Sequence, residues 1–300
     1  MQQIVECVPN FSEGRNLEII RAIREAMTTI KGAHLLHETS DSDHNRTVFT
    51  LAGSPEAMLD AMYQGIETAS QLIDMLQHQG VHPRIGATDV VPFVPIEGVT
   101  MQECAHLARR LGKRVGDELG LPIYLYGEAA LRPERKSLAY IRRGEFEALI
   151  DSIKEKDRYP DYGSAEIGRA GATTIGARKP LIAYNVYLDT DDVHIAKQIA
   201  KAIRGSSGGL VHVQALGLLV KGHAQVSMNL LDYHKTPLHR VMELIRIEAN
   251  HLGTRVIESE LIGLMPRDAL MQVASWYLQL PDLTTSKLLE NQVDAIRQDL

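Results

Sequence analysis

The order strand–helix–strand–strand–helix–strand occurs twice in this sequence, over residues 4–95 and 181–262, and nothing else in the chain restricts its fold so strongly. In the first copy Ile4 to Val8 alternates as a strand does, and Leu17, Ile20, Ile23, Met27 and Ile30 fall at helical spacing. Residues 33–37 and 46–52 read as strands joined by polar residues. Ser54-Pro55 is a helix start: a hydroxyl to cap, then a proline whose missing N–H costs nothing in the first turn. That helix is predicted to reach about Gln77, before Gly80 and Pro83. Residues 89–95 (DVVPFVP) close the copy as a short buried strand. The second copy reads strand (181–188), helix (191–204), glycine-rich turn (205–209), two strands (210–220 and 223–231), helix (237–251) and strand (254–262). Thr236-Pro237 repeats the hydroxyl–proline start.

This is the split-βαβ, ferredoxin-like order. It predicts an α+β protein of two ferredoxin-like (βαββαβ) subdomains, residues 1–178 and 179–300, with sheets facing each other across a cleft and helices outside. The alternative is a single larger sheet with extra helices. Between the copies, Thr100 and Glu103 form a capping box opening a helix to about Leu119. Residues 122–126 read as a strand, and 134–156 as two helical pieces broken at Gly144. Residues 158–180 are rich in Gly and small side chains without helical period, so a long ordered crossover loop is expected there. A helix follows Pro266, and 284–300 read as a polar helical tail.

Charge narrows the function. Thirty-two basic against 38 acidic residues leave a net charge of -6, which argues against a nucleic-acid partner bound through counterion release. Trp276 is the only tryptophan, so a base-stacking platform is not expected either. Cys7 and Cys104 cannot build a disulfide framework and fit a reducing compartment. The first residues lack a basic stretch followed by a long apolar one, and no stretch approaches the roughly 18 apolar residues of a membrane span. A cytoplasmic protein with no membrane partner is expected, with a homodimer as its working form.

Twelve histidines invite a metal, but their spacing does not. His78 and His82 are four apart with Gly80 and Pro83 breaking the helix that would align them, and His34 and His37 are an odd number apart on a strand and so face opposite sides. No metal is expected. GATTIGARK (171–179) lacks the Lys-Ser or Lys-Thr after the second glycine that a phosphate loop needs.

The stretch GVHPRIGATDVVPFVP (80–95) offers more. Pro83 pushes His82 into an extended conformation in a loop between helix and strand, with Arg84 and Asp89 following within reach. A histidine titrates near neutrality and can both take and return a proton. A plain surface histidine in a proline turn is the competing reading. In NFSEGRN (10–16), amides with Asn10 and Ser12 can hold carboxylates at a helix N-terminus, or can simply cap the helix. Arg46 and Asn229 are polar residues on strands in equivalent positions of the two copies, and would bind ligand if they face a cleft.

Six segments carry a resemblance. VECVPNFSEGR (5–15), HNRTVFTLAGSPE (44–56), GVHPRIGATDVVPFVP (80–95), YLYGEAA (124–130), GATTIGARKPLIAYNV (171–186) and AQVSMNLLDY (224–233) are similar, in order and spacing, to the glutamate formiminotransferases, folate-dependent enzymes of histidine degradation and one-carbon metabolism. The resemblance spans about residues 2–280. It implies formimidoyl transfer between N-formimino-L-glutamate and N5 of tetrahydrofolate as co-substrate, without a metal, and folate held between the two subdomains. It puts the catalytic histidine on His82. It puts the folate-binding segment on Gly163, Ser164, Ala165, Glu166, Ile167, Gly168, Arg169, Ala170, Gly171 and Ala172. Substrate contacts are expected from Asn10, Ser12, Arg46, Arg84 and Asn229. Thr39 stands where the family carries an acidic residue after the second strand, which leaves an acidic partner for His82 unassigned. A formyltransferase using 5-formyltetrahydrofolate, and a folate- or amino-acid-binding regulator without catalysis, are the alternatives.

Overall fold

Two β-sheets, one for each copy of the repeat, organise the computed structural model, which describes residues 3–299. The chain divides into two compact units, one up to Lys179 and one from Pro180.

In the first unit the leading strand is interrupted. β1 (Ile4–Cys7) and β2 (Asn10–Phe11) flank Val8-Pro9, and both pieces pair antiparallel with the same two neighbours. Proline has no N–H for the ladder, which is why the strand breaks there. α1 (Leu17–Thr28) buries Ile20, Ile23 and Met27, the apolar spacing read from the sequence. β3 (Ala33–Asp41) and β4 (Arg46–Gly53) form a hairpin, α2 (Pro55–Leu72) follows, and β5 (Thr88–Glu97) completes the order β3-β4-β1/β2-β5. The Ser54 hydroxyl accepts from the Ala57 amide, and Pro55 occupies the first turn, as predicted. The helix stops at Leu72 rather than Gln77, because Ile73 is already extended (φ -99°, ψ 129°). A bulge between Leu35 and His37 sets His34 opposite Ala52 and His37 opposite Thr50, so the two histidines share a face, contrary to the simple alternation.

The rest of the unit enlarges this sheet. α3 (Met101–Leu119) opens on the reciprocal Thr100–Glu103 capping box. β6 (Ile123–Gly127) and the short helices α4 (Leu138–Ile141) and α5 (Glu145–Ser152) follow, with Gly144 at φ +75° between the helices. β7 (Thr173–Ala177) then inserts between β5 and β6, parallel to both. This corrects the expectation of a loop over 158–180. All five β7 residues are buried, and a sheet-interior strand of small residues shows no alternation to read. Gly176 is required there: a Cβ would lie 2.5 Å from the Tyr126 ring and carbonyl. α1, α2 and α3 pack on the sheet around Phe11, Phe49, Met58, Met62, Phe93 and Leu111.

The second unit is β8 (Ile182–Leu188), α6 (Val193–Ile203), β9 (Val213–Val220), β10 (His223–Leu230), α7 (Leu238–His251) and β11 (Val256–Ile262). Its sheet is antiparallel in the order β11-β8-β10-β9, the ferredoxin-like order again. Ala224, Val226, Met228 and Leu230 alternate into the core against α6 and α7. α8 (Arg267–Leu278) and α9 (Leu289–Asp299) follow. Thr236 is not the cap expected of it: its hydroxyl donates to the Val211 carbonyl, and the cap position of α7 falls on Pro237, with no side-chain cap. Among the described residues no helix is long and apolar enough to cross a membrane.

Candidate active site

Three connections of the first unit meet: β2 to α1 (residues 12–16), β3 to β4 (42–45) and α2 to β5 (73–87). They are knitted by buried and half-buried hydrogen bonds. The Ser12 amide donates to Ala87 O (2.9 Å) and its hydroxyl to Gly86 O (2.7 Å). Asn45 joins all three, accepting from the Gly14 amide (2.9 Å) and donating to Gln79 O (2.9 Å). His78 Nε2 donates to Asn45 O (2.9 Å), and the Val81 amide to Asp43 O (3.3 Å). Gly80 permits this closeness, since a Cβ on it would lie 2.3 Å from the His44 carbonyl oxygen.

His82 is partly buried in this weave, closely surrounded by Ser12, His44, Asn45, Arg46, His78, Arg84 and Asp89. Its Nε2 is 2.6 Å from Nη1 of Arg46. A guanidinium can only donate, so Nε2 is the acceptor and the ring proton is on Nδ1. The His44 ring lies at a centroid distance of 6.3 Å, and His44 Nδ1 is 3.1 Å from the Asp41 carboxylate. Burial of Asp41 opposes its charge, but hydrogen bonds from the His44 amide, the His44 ring and the Asp43 amide outweigh that and hold its carboxyl below the usual range. Burial, then the positive charges of Arg46, Arg142 and His44, push His82 well below the ordinary imidazole value, against a hydrogen bond with the Pro83 backbone. The sequence expectation of titration near neutrality is corrected accordingly.

Arg84 and Asp89 face other partners. Arg84 donates to Glu145 (2.9 Å) and Glu147 (2.6 and 2.9 Å) at the start of α5, and its Nε donates to His78 Nδ1 (3.2 Å). Asp89 accepts from the Ile85 amide (3.0 Å) and forms an ion pair with Arg142. Ser12 and Arg84 are therefore struts of the loop that carries His82. Asn10 donates to Val8 O and is 3.4 Å from Arg46 Nη1, while Asn229 lies on β10 of the second unit, opposite Ala183 and Gln214. The start of α1 is capped internally: Asn16 Oδ1 accepts from the Glu18 and Ile19 amides, and Glu13 accepts from those of Arg15 and Asn16.

Residues 163–172 dock on the same loop. Ala87 N donates to Ala170 O (2.8 Å), Ala172 N to Ile85 O (3.0 Å) and Met75 N to Arg169 O (2.7 Å), and Gly86 bridges to Gly171. Gly163, Ser164, Glu166, Gly168 and Arg169 are exposed, Ala165 and Ile167 half-buried, and Ala170, Gly171 and Ala172 buried. The segment is anchored upstream by the buried Arg135–Asp161 ion pair (2.7 Å). Two motifs far apart in sequence are thus brought together. Arg142, Glu145 and Glu147 had no motif to reveal them, His44 entered only as the first residue of the 44–56 segment, and His78 drew notice only as a possible metal ligand. Among the described residues no group of three or more His, Cys, Asp or Glu is placed to hold a metal ion.

Comparison with known proteins matches residues 4–178 to the formiminotransferase domain, N-terminal subdomain, and residues 183–297 to the formiminotransferase domain. The chain is 48% identical to a glutamate formimidoyltransferase of Streptococcus pyogenes serotype M1, over 98% of this chain and 99% of that one. It is 48% identical to a glutamate formimidoyltransferase of Thermoplasma acidophilum, over 97% of each. With a formimidoyltransferase-cyclodeaminase of Mus musculus it shares 47% identity over 92% of this chain and 53% of that one.

Proposed function

The chain belongs to the formiminotransferase family, and on that premise we propose that it moves the formimino group between N-formimino-L-glutamate and N5 of tetrahydrofolate. Bound tetrahydrofolate supplies N5, the atom that gains the formimino carbon as glutamate nitrogen loses it. The chain supplies proton transfer and alignment. The observation that carries the reading is the position of His82, neutral, with its protonatable Nε2 against Arg46 and its loop hydrogen-bonded to residues 170–172. His82 Nε2 takes the N5 proton and returns it to the departing glutamate nitrogen, so one imidazole serves both halves of the transfer. Residues 163–172 hold the folate, because their exposed glycines let backbone approach a flat ring. Asn10 and Arg46 face the glutamate moiety. Orientation of the two substrates provides much of the rate. We place the protein in the cytoplasm, a reading supported by two free buried thiols.

The test is turnover by purified protein. Formiminoglutamate is expected to disappear only when tetrahydrofolate is present, with 5-formiminotetrahydrofolate appearing in equal amount. Turnover of 5-formyltetrahydrofolate with glutamate instead would make it a formyltransferase, and binding without turnover would make it a regulator.

A further inference from the structure

We propose that the second unit carries a site for an adenine nucleotide, in the groove between α7, α8 and residues 279–285. The groove spans about 1230 Å³ and is lined by residues of that unit alone, among them His239, Arg240, Asp268, Gln272 and Trp276. Ordinary ligand pockets hold roughly 300–1,000 Å³, so room is not limiting. One wall is an aromatic platform. The Trp276 indole lies nearly parallel on the His239 imidazole, with ring centroids 4.8 Å and planes 13° apart. Trp276 nevertheless stays 56% exposed, so its outer face is open to a further flat ring. Tyr277 beside it is held in place: its hydroxyl donates to Glu243 (2.5 Å) and accepts from Arg246 (3.1 Å).

Hydrogen bonding selects the ring. His239 is 7% exposed, and its Nδ1 has no hydrogen-bond partner among the described residues. The same holds for the buried Oε1 of Gln272, one turn before Trp276 on α8. Burial, with Arg240 alongside and Glu243 opposing, holds His239 below the ordinary imidazole value, so the ring is neutral and has one donor and one acceptor. Buried polar atoms are nearly always paired, so two orphans lining one groove point to a partner that brings its own donor and acceptor. A glutamine amide matches an exocyclic amine beside a ring nitrogen, the edge of a 6-aminopurine, with two bonds. The charges suit the remainder of such a ligand. Arg240 is exposed, forms no ion pair among the described residues and can bind a phosphate. Asp268 can accept from ribose hydroxyls, as acidic residues of nucleotide sites do. None of these groups takes part in the chemistry at His82, so a nucleotide here is additional to the transfer reaction and independent of it.

Trp276 is the only tryptophan of the chain, so its emission reports this groove alone. Full-length protein is titrated with adenosine 5′-monophosphate (AMP) at constant ionic strength, with excitation on the red edge of the indole band, clear of adenine absorption, and binding is checked by calorimetry. A saturable change in emission with Kd below about 1 mM is expected. Gln272→Leu should weaken AMP about 10-fold. Arg240→Gln, at an exposed position where folding is not at stake, should weaken AMP about 10-fold while adenosine stays within about twofold, the split between a phosphate contact and a ring contact. Guanosine 5′-monophosphate, with a carbonyl in place of the 6-amino group, should bind about 10-fold more weakly. His82→Ala should bind AMP as the wild-type protein does, and a chain that binds AMP in this way but lacks transferase turnover would keep the site while sinking the proposed activity. No saturable emission change and no heat up to that concentration overturn the site. Equal affinity for ribose 5-phosphate, which lacks the ring, or for guanosine 5′-monophosphate overturns the adenine assignment.

Discussion

At the end of the second sheet that corresponds to the His82 site, the connections are short. β8 reaches α6 through residues 189–192, β9 turns into β10 at Lys221 and Gly222, and α7 reaches β11 through 252–255. They close on themselves: Asp189 N donates to Arg255 O (2.9 Å), Ala224 N to Thr190 O (2.7 Å), and Arg255 pairs with Asp189 (3.0 Å). In the first unit the same three connections run over 12–16, 42–45 and 73–87, and they hold His44, Asn45, His78 and His82. The strand order is common to both, so the order alone does not make a site. The longest of these connections, and the β7 that buttresses it, are what the first unit adds.

The comparison would break most decisively if chemistry proved not to live in the longer loops. His82→Ala is expected to lower kcat by roughly 10²–10⁴-fold, the worth of a positioned acid–base group, with folate Kd little changed. Steady-state kinetics beside folate titration measure both, and normal kcat with weakened folate binding would make His82 a binding residue. His223→Ala, on an exposed residue just after the short β9–β10 turn, should leave kcat unaltered.

Anchoring separates the units next. Arg135 and Asp161, 1% and 3% exposed, form a buried pair in the first, whereas Arg255 and Asp189, 76% and 50% exposed, form a surface pair in the second. Asp161→Ala strands a buried guanidinium and should remove about 3–5 kcal/mol of stability. Asp189→Ala should remove about 0–1 kcal/mol. Urea unfolding followed by circular dichroism distinguishes them, and equal losses would erase the contrast.

Glycine substitution should separate structure from function. A Cβ at Gly86 would lie 2.1 Å from Ala172 O, so Gly86→Ala must part the His82 loop from residues 170–172. It should cost about 1–3 kcal/mol as overpacking and also weaken folate binding. Gly222, at φ +78° with open space around it, carries only backbone strain, so Gly222→Ala should cost about 1 kcal/mol and leave folate Kd alone. Matched folate affinities in the two variants would count against the docking of 163–172 as a binding element.

The smallest expected effect is in acid. Burial, against a bond to Asn45 and with Arg84 alongside, holds His78 below the ordinary value of 6.5, and His82 lies well below it. Folded protein resists protonation at these rings while unfolded chain accepts protons at about 6.5, so stability falls as pH drops through that value and levels off below the folded values. His78→Gln should flatten this slope, since its amide can still donate to Asn45 O and accept from Arg84. An unchanged slope would show that the ring does not titrate with unfolding. Wild-type kcat/KM should hold to below pH 6.5 before its acid limb appears.

What could be read in advance divides along a physical line. Ser54-Pro55 and Thr100–Glu103 were legible because a cap is a local bond between neighbours. Both repeats were legible because periodicity is local too. β7 was not, since its strand character comes from β5 and β6 on either side of it and not from its own small residues. His82 stood out through Pro83 and Arg46 as a polar strand residue, but their contact did not. Arg46 lies on β4, Arg142 beyond α4, and Glu145 and Glu147, the partners of Arg84, on α5, and contacts between distant segments leave no pattern in sequence. Thr236 shows the converse, a local signal overridden when the helix began one residue later and the hydroxyl turned to donate to the Val211 carbonyl.

The insertion of β7 also bears on how the nascent chain survives its own synthesis. β5 and β6 are neighbours in sequence across α3, yet no ladder joins them directly. Each shows a bare, largely apolar edge toward the other until residues 173–177 emerge and fill the slot. Unpaired edges of this kind invite pairing with other chains. Between residue 127 and residue 177 the growing chain therefore carries both edges open, and the fold closes them with a segment of its own rather than with charge or proline.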